Sequence, residues 1–332
     1  MPNLQIKEPI IIIGCPRSGT SLLFTILSES EHLFSLYRES QDIFDNFYQR
    51  KAKALKVYDS DELTDSDLSP DYKDFMLNEF NKFTTNFRPV GYITREHILK
   101  NKGLNWAIPM VTQFNLLLKN LFAPEYRMVE KNPRHCFRIS FINKLFPDCK
   151  FIYLTRDART NISSLIEGWK RPNDYKRIPN ANLPLNIKGD NEKKWRYVLP
   201  PGWHNYINKP LEEVCAFQWV SANQSAIDGL KNIENERIFR TTYEELIENT
   251  PETIKGMCNF IEIPYSKKLK MFSERPPVVS TPKNDKPKQD KWLKNKELIE
   301  KIYPMIEPMM KVLGYASASD TQTAQSQKLL TH

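Results

Sequence analysis

Four consecutive isoleucines, Ile10 to Ile13, lie between Pro9 and Gly14-Cys15-Pro16-Arg17-Ser18-Gly19-Thr20-Ser21, and this stretch constrains the chain more than any other. An unbroken run of branched apolar residues bounded by Pro and Gly predicts a strand buried on both faces, as in the middle of a parallel sheet. Ser18 to Thr25 then predicts a capped helix start with apolar residues beyond it. Backbone N–H groups at such a strand-to-helix turn favour anions. The spacing Gly14-x-x-x-x-Gly19 is that of a P-loop, yet Thr20-Ser21 stands where a nucleotide triphosphatase has Lys-Ser/Thr. With Arg17 as the sole cation inside the loop, a single phosphate or sulfate can be gripped bidentately, whereas a triphosphate with Mg²⁺ lacks its lysine clamp.

A second constellation begins at the strand pattern Lys150-Phe151-Ile152-Tyr153-Leu154-Thr155, which leads into Arg156-Asp157-Ala158-Arg159, with Ser164 eight residues after Arg156. Arg156 at a strand's carboxyl end and Ser164 two helical turns on can both face the crevice where α/β folds bind ligands. The simpler alternative is an Arg–Asp turn in which Asp157 only caps the next helix.

Together these two elements closely resemble the 5′-phosphosulfate and 3′-phosphate sites of sulfotransferases that use 3′-phosphoadenosine 5′-phosphosulfate (PAPS). The loop has the Pro-Arg-Ser-Gly-Thr form of tyrosylprotein and many bacterial members. Glu130-Lys131-Asn132-Pro133-Arg134 is similar to the segment that carries that family's catalytic lysine, and Thr242-Tyr243-Glu244-Glu245-Leu246 to a turn whose tyrosine lies near the nucleotide. Ser280-Thr281-Pro282-Lys283 through Lys291-Trp292 resembles a late loop that closes over PAPS. The resemblance covers most of residues 9–313 and implies an α/β, P-loop-like three-layer fold, a central parallel sheet flanked by helices.

The resemblance further implies PAPS as co-substrate, 3′,5′-adenosine bisphosphate as product, and no metal. Nucleotide contacts would come from Arg17, Ser18, Gly19, Thr20, Ser21, Arg156, Ser164, Tyr243 and Ser280. Sulfuryl transfer needs an acceptor hydroxyl stripped of its proton, an aligned sulfuryl group and neutralisation of charge on the leaving phosphate. Arg17 suits the leaving phosphate and Lys131 the bridging or sulfuryl oxygens. For the base the resemblance points to Glu39, in Leu36-Tyr37-Arg38-Glu39-Ser40, with Arg38 beside it to hold it ionised. His135, four residues after Lys131, is the rival base.

The net charge of +8 suits a polyanionic ligand. Basic residues are spread among 40 acidic ones with no aromatic-basic stripe, which argues against nucleic acid as a partner. Cys15, Cys136, Cys149, Cys215 and Cys258 show no C-x-x-C spacing, so neither a disulfide framework nor a zinc site is expected. Cys15 sits near a helix start, where thiols ionise more easily. The opening residues form neither a signal peptide nor a membrane span, and the expected location is the cytoplasm.

Strand candidates at 9–14, 127–131, 150–155 and 236–241 alternate with helical stretches, as in parallel crossover units. A helix over 211–232 should pack through Leu211, Val214, Cys215, Trp219, Ala222, Ala226 and Leu230, and one over 296–313 should be kinked by Pro304 and Pro308. Residues 1–315 read as one domain, with insertions near 40–126 and 171–210 covering the acceptor site and a disordered tail at 316–332. Trp169, Trp195 and Trp203 argue that the second insertion is packed. The acceptor expected is a hydroxyl-bearing small molecule, carbohydrate or tyrosine peptide. Two other functions share these features: a P-loop kinase or hydrolase, which would need Lys at position 20, and a nucleotide-binding protein without sulfotransferase activity.

Overall fold

A computed structural model describes residues 5–35, 39–55, 59–85, 125–171, 195–276 and 289–315. In chain order the elements that position the site begin with strands β1 (Gln5–Ile6) and β2 (Ile10–Ile13), helix α1 (Thr20–Leu27), strand β3 (Phe34–Ser35) and helices α2 (Gln41–Leu55) and α3 (Pro70–Thr85). Strands β4 (Glu125–Tyr126) and β5 (Met128–Lys131) precede α4 (Ile139–Leu145), β6 (Lys150–Thr155), α5 (Ala158–Trp169) and α6 (Leu211–Leu230). Strand β7 (Ile238–Thr242) then runs into α7 (Tyr243–Glu248), α8 (Thr250–Phe260), α9 (Lys267–Glu274) and α10 (Lys296–Val312).

The main sheet has the order β3-β5-β2-β6-β7, and every pairing in it is parallel. The isoleucine strand is therefore central, with Ile12 opposite Lys131 on one side and Ile152 on the other. Alternation along β2 explains why all four isoleucines are needed. Ile11 and Ile13 enter one apolar cluster with Phe151, Tyr153, Trp219 and Ile302, while Ile10 and Ile12 enter another with Leu23, Ile26, Val129 and Ile254. Helices α2, α4, α5, α6 and α10 thus cover one face, and α1, α8 and α9 the other, giving the three layers expected. From β2 the chain crosses to one edge, and β5 and β6 later flank it on both sides; this reversal opens a crevice above the carboxyl ends of the central strands.

All seven apolar positions expected to face inward on α6 are buried. Trp169, Trp195 and Trp203 are buried too, the first two meeting edge to face at 5.8 Å. Several sequence expectations need correcting. Helix α1 starts at Thr20 from Gly19 in the left-handed region, with no side-chain cap, so Ser18 is a loop residue rather than a cap. Pro304 and Pro308 both lie inside helix α10, which runs on past them to Val312. The edge strand β3 and the small β1–β4 pair were not expected; each strand has two residues, too short for any periodicity to register. Among the described residues no helix is long and apolar enough to cross a membrane.

Candidate active site

At the tip of β2 the loop 14–19 is packed too tightly for side chains at its glycines. A Cβ on Gly14 would lie 2.4 Å from the Leu154 carbonyl oxygen, and one on Gly19, whose φ is 102°, 2.4 Å from Cδ2 of Tyr243. Arg17 itself adopts φ 70°, a left-handed conformation uncommon for a side-chain-bearing residue. This turn brings the Ser18 hydroxyl inside, where it is fully buried with no hydrogen-bond partner among the described residues. Buried polar groups are normally hydrogen-bonded, so the unmet Ser18 hydroxyl leaves bonding capacity unused in this loop.

The second constellation faces the same turn. From the tip of β6, Arg156 donates through Nη1 to the Arg17 carbonyl at 2.9 Å, and Arg17 Nε donates to Ser164 Oγ at 3.0 Å. The Arg156 guanidinium lies 4.1 Å from the centroid of the Tyr243 ring, so Tyr243 is sandwiched between Arg156 and Gly19. Burial lowers the pKa of Arg156; Tyr243 and Glu244 oppose this, and the neighbouring Arg17 adds to it. Like charges that act on one another in this way favour a nearby anion. Asp157 caps α5 by accepting from the Thr160 amide at 3.2 Å, so the capping alternative is also realised, alongside Arg156 in the crevice.

Lys131, at the tip of β5, reaches the start of α1. Its Nζ donates to Ser21 Oγ at 3.0 Å and pairs with the Glu39 carboxylate. The Lys131 side chain is only 7% exposed, but Glu39 is 41% exposed and so accessible to an incoming molecule. His135 lies elsewhere. Its ring is 1% exposed, bonded through Nε2 to the equally buried Glu130 carboxylate and edge-on to Phe44 at 5.1 Å. As it stands, His135 cannot meet an acceptor hydroxyl. Burial raises the Glu130 pKa, but His135 and Ser40 outweigh that and hold it below the usual carboxylate value.

The cleft therefore unites Arg17, Ser18, Gly19, Thr20, Ser21, Glu39, Lys131, Arg156, Ser164 and Tyr243, and leaves out His135. Ser280 and Arg38 lie outside the described residues, as do 86–124, 172–194 and the tail at 316–332. Of the late loop, Trp292 is described, with the Arg159 guanidinium 5.6 Å from its ring centroid. Cys15 is buried, and burial pushes its thiol well above the usual value, with Cys136 and Cys215 adding to the effect, against the easier ionisation expected near a helix start. Two supports were missed in the sequence. Glu130 accepts the Ser40 amide at 3.1 Å, and Tyr315 donates to Glu244 at 3.1 Å behind the Arg156–Tyr243 platform. The signal available for the first was the acidic residue directly preceding Lys131.

Comparison with known proteins gives the cleft a context. Residues 9–197 match the model of the sulfotransferase family. A putative protein-tyrosine sulfotransferase of Caenorhabditis briggsae is 27% identical over 143 residues, covering 43% of this chain and 39% of that protein. The protein-tyrosine sulfotransferase of Drosophila melanogaster is 21% identical over 208 residues, covering 58% and 35%. The chain thus spans well under half the length of these curated relatives. Among solved structures, the sulfotransferase domain from the curacin biosynthetic pathway superposes with a TM-score of 0.48 at 17% identity, covering 94% of this chain and 99% of that one. A mouse sulfotransferase complexed with PAP gives 0.44 at 11% identity, covering 98% and 89%.

Proposed function

Because this chain belongs to the sulfotransferase family, we propose that it transfers the sulfuryl group of PAPS to a hydroxyl acceptor and releases 3′,5′-adenosine bisphosphate. The observation that carries this reading is the linkage of the two anion sites through Arg17, whose carbonyl meets Arg156 and whose guanidinium meets Ser164. A ligand with phosphates at two ends of one nucleoside fits such a cleft. The loop amides, Ser18 and Arg17 would hold the 5′-phosphosulfate, and Arg156 with Ser164 the 3′-phosphate. The Tyr243 ring would lie beside the nucleotide.

In the reaction, Glu39 takes the proton of the acceptor hydroxyl as its oxygen attacks sulfur in line. The bond from sulfur to the bridging oxygen breaks, and its electron pair stays on the leaving phosphate. Lys131 and Arg17 meet the charge that develops there. In the resting cleft Glu39 stands against Lys131, and the exposure of Glu39 against the burial of His135 favours Glu39 as base. The protein-tyrosine activity named for the two curated relatives makes a phenolic hydroxyl the first acceptor to try.

The decisive test is incubation with ³⁵S-labelled PAPS and separate acceptors: 4-nitrophenol, a simple glycoside and a tyrosine-containing peptide. Label should pass to at least one, with equimolar release of 3′,5′-adenosine bisphosphate. Phosphoryl transfer from ATP with no sulfuryl transfer from PAPS would assign the cleft to a kinase instead.

A further inference from the structure

Two consecutive residues of β5 hold two consecutive residues of the segment that carries Glu39. Lys131 pairs with the Glu39 carboxylate, and Glu130 accepts the backbone amide of Ser40 at 3.1 Å. The second Glu130 oxygen is bonded to His135 Nε2, and the His135 ring in turn packs edge-on against Phe44 of α2 at 5.1 Å. Arg134 adds a contact at 3.3 Å to Asp45, the next residue of the same helix. The strip 130–135 thus clamps the start of α2, and residue 39 lies two positions before that helix begins.

Stability alone is a poor reason for this arrangement. Glu130 and His135 are each 1% exposed, and His135 Nδ1 is buried with no hydrogen-bond partner among the described residues. A buried ionisable pair with an unmet nitrogen gains little over apolar side chains of the same volume, which often serve as well or better. What apolar side chains could not do is accept the Ser40 amide.

We propose that Glu130, braced by His135, is a positioning residue that fixes the backbone at 39–40 so that the Glu39 carboxylate stands beside Lys131. This rests on the reading of Glu39 as base. Glu130 itself never touches the nucleotide or the acceptor. It acts through the Ser40 amide, so its loss should affect turnover and spare nucleotide binding.

The test replaces the pair with apolar groups, Glu130→Met with His135→Leu, a change that buried pairs commonly tolerate without unfolding. A second variant, Glu130→Gln, keeps a carbonyl oxygen for the Ser40 amide. Three quantities are read: affinity for 3′,5′-adenosine bisphosphate by calorimetry, hydrogen exchange at the Ser40 amide in the bisphosphate-bound protein, and turnover with ³⁵S-PAPS and any acceptor the wild type sulfates. The apolar double variant should bind the bisphosphate like the wild type, exchange Ser40 at least tenfold faster and turn over at least tenfold more slowly. Glu130→Gln should recover both losses, and adding the apolar pair to Glu39→Gln should cost no further turnover. Unchanged Ser40 protection, wild-type turnover, or a matching loss of bisphosphate affinity in the double variant would each overturn the proposal. Failure of the wild type to bind the bisphosphate would instead remove the nucleotide reading itself, so the two outcomes stay separate.

Discussion

At the scale of single residues, the cleft depends on a few side chains whose removal should have separable effects. Lys131 donates to Ser21 and pairs with Glu39, and in the proposed reaction it meets charge that appears only as the leaving group departs. Lys131→Ala should therefore lower turnover by about 10²–10³-fold, the usual effect of deleting one preorganised donor, with a much smaller change in bisphosphate affinity. Steady-state kinetics beside a binding titration would check this split. Gly19 makes a different demand. Its φ of 102° and the Tyr243 ring against it leave no room for a Cβ, so Gly19→Ala should cost about 1–2 kcal/mol in stability from the backbone alone and push the ring off the loop. Thermal denaturation should show the first effect. A weakening of bisphosphate binding by roughly tenfold, equivalent to about 1.4 kcal/mol, should show the second.

Between elements, what matters is how the strand tips are braced. Glu130 is held ionised below the usual carboxylate value, chiefly because His135 and the Ser40 amide outweigh its burial. A depressed folded pKa contributes stability that is complete above the unfolded value and is lost as pH falls through the folded one. The melting-temperature gap between the wild type and Glu130→Gln should thus close as pH falls below about 4, where the unfolded carboxyl titrates. On α5, Gly168 admits Tyr197: a Cβ there would lie 1.7 Å from the tyrosine oxygen, and Gly168→Ala should destabilise by about 1–3 kcal/mol as the segment at 195–199 is displaced. Denaturant unfolding measures that directly.

Elements also divide what the sequence made legible from what it hid. The isoleucine strand, the Arg156-to-Ser164 spacing and the inward face of α6 were readable because each depends on residues within a few turns of one another. Strand β3 was not, since two residues carry no period. Nor was the bond from Ser40 to Glu130, made across 90 positions of chain. His135 could stand as a rival base because its chemistry shows in the sequence but its burial does not. The Gly19 helix start was hidden by Ser18, which looks like a cap and instead turns its hydroxyl into the loop.

For the whole molecule, the proposed function requires that one crevice, opened where the strand order reverses about β2, holds both ends of a single adenosine bisphosphate. The order β3-β5-β2-β6-β7 brings the tips carrying Lys131, the phosphate loop and Arg156 side by side. Tyr315, just beyond α10, donates to Glu244, the residue next to Tyr243. The most direct test is calorimetric titration of the full chain with 3′,5′-adenosine bisphosphate, with 5′-AMP and ATP plus Mg²⁺ run beside it and Arg156→Ala as the paired variant. If one crevice holds both phosphates, the bisphosphate should bind the wild type at least tenfold more tightly than either of the others, and Arg156→Ala should abolish its advantage over 5′-AMP. Tight ATP binding with no preference for the bisphosphate would contradict it.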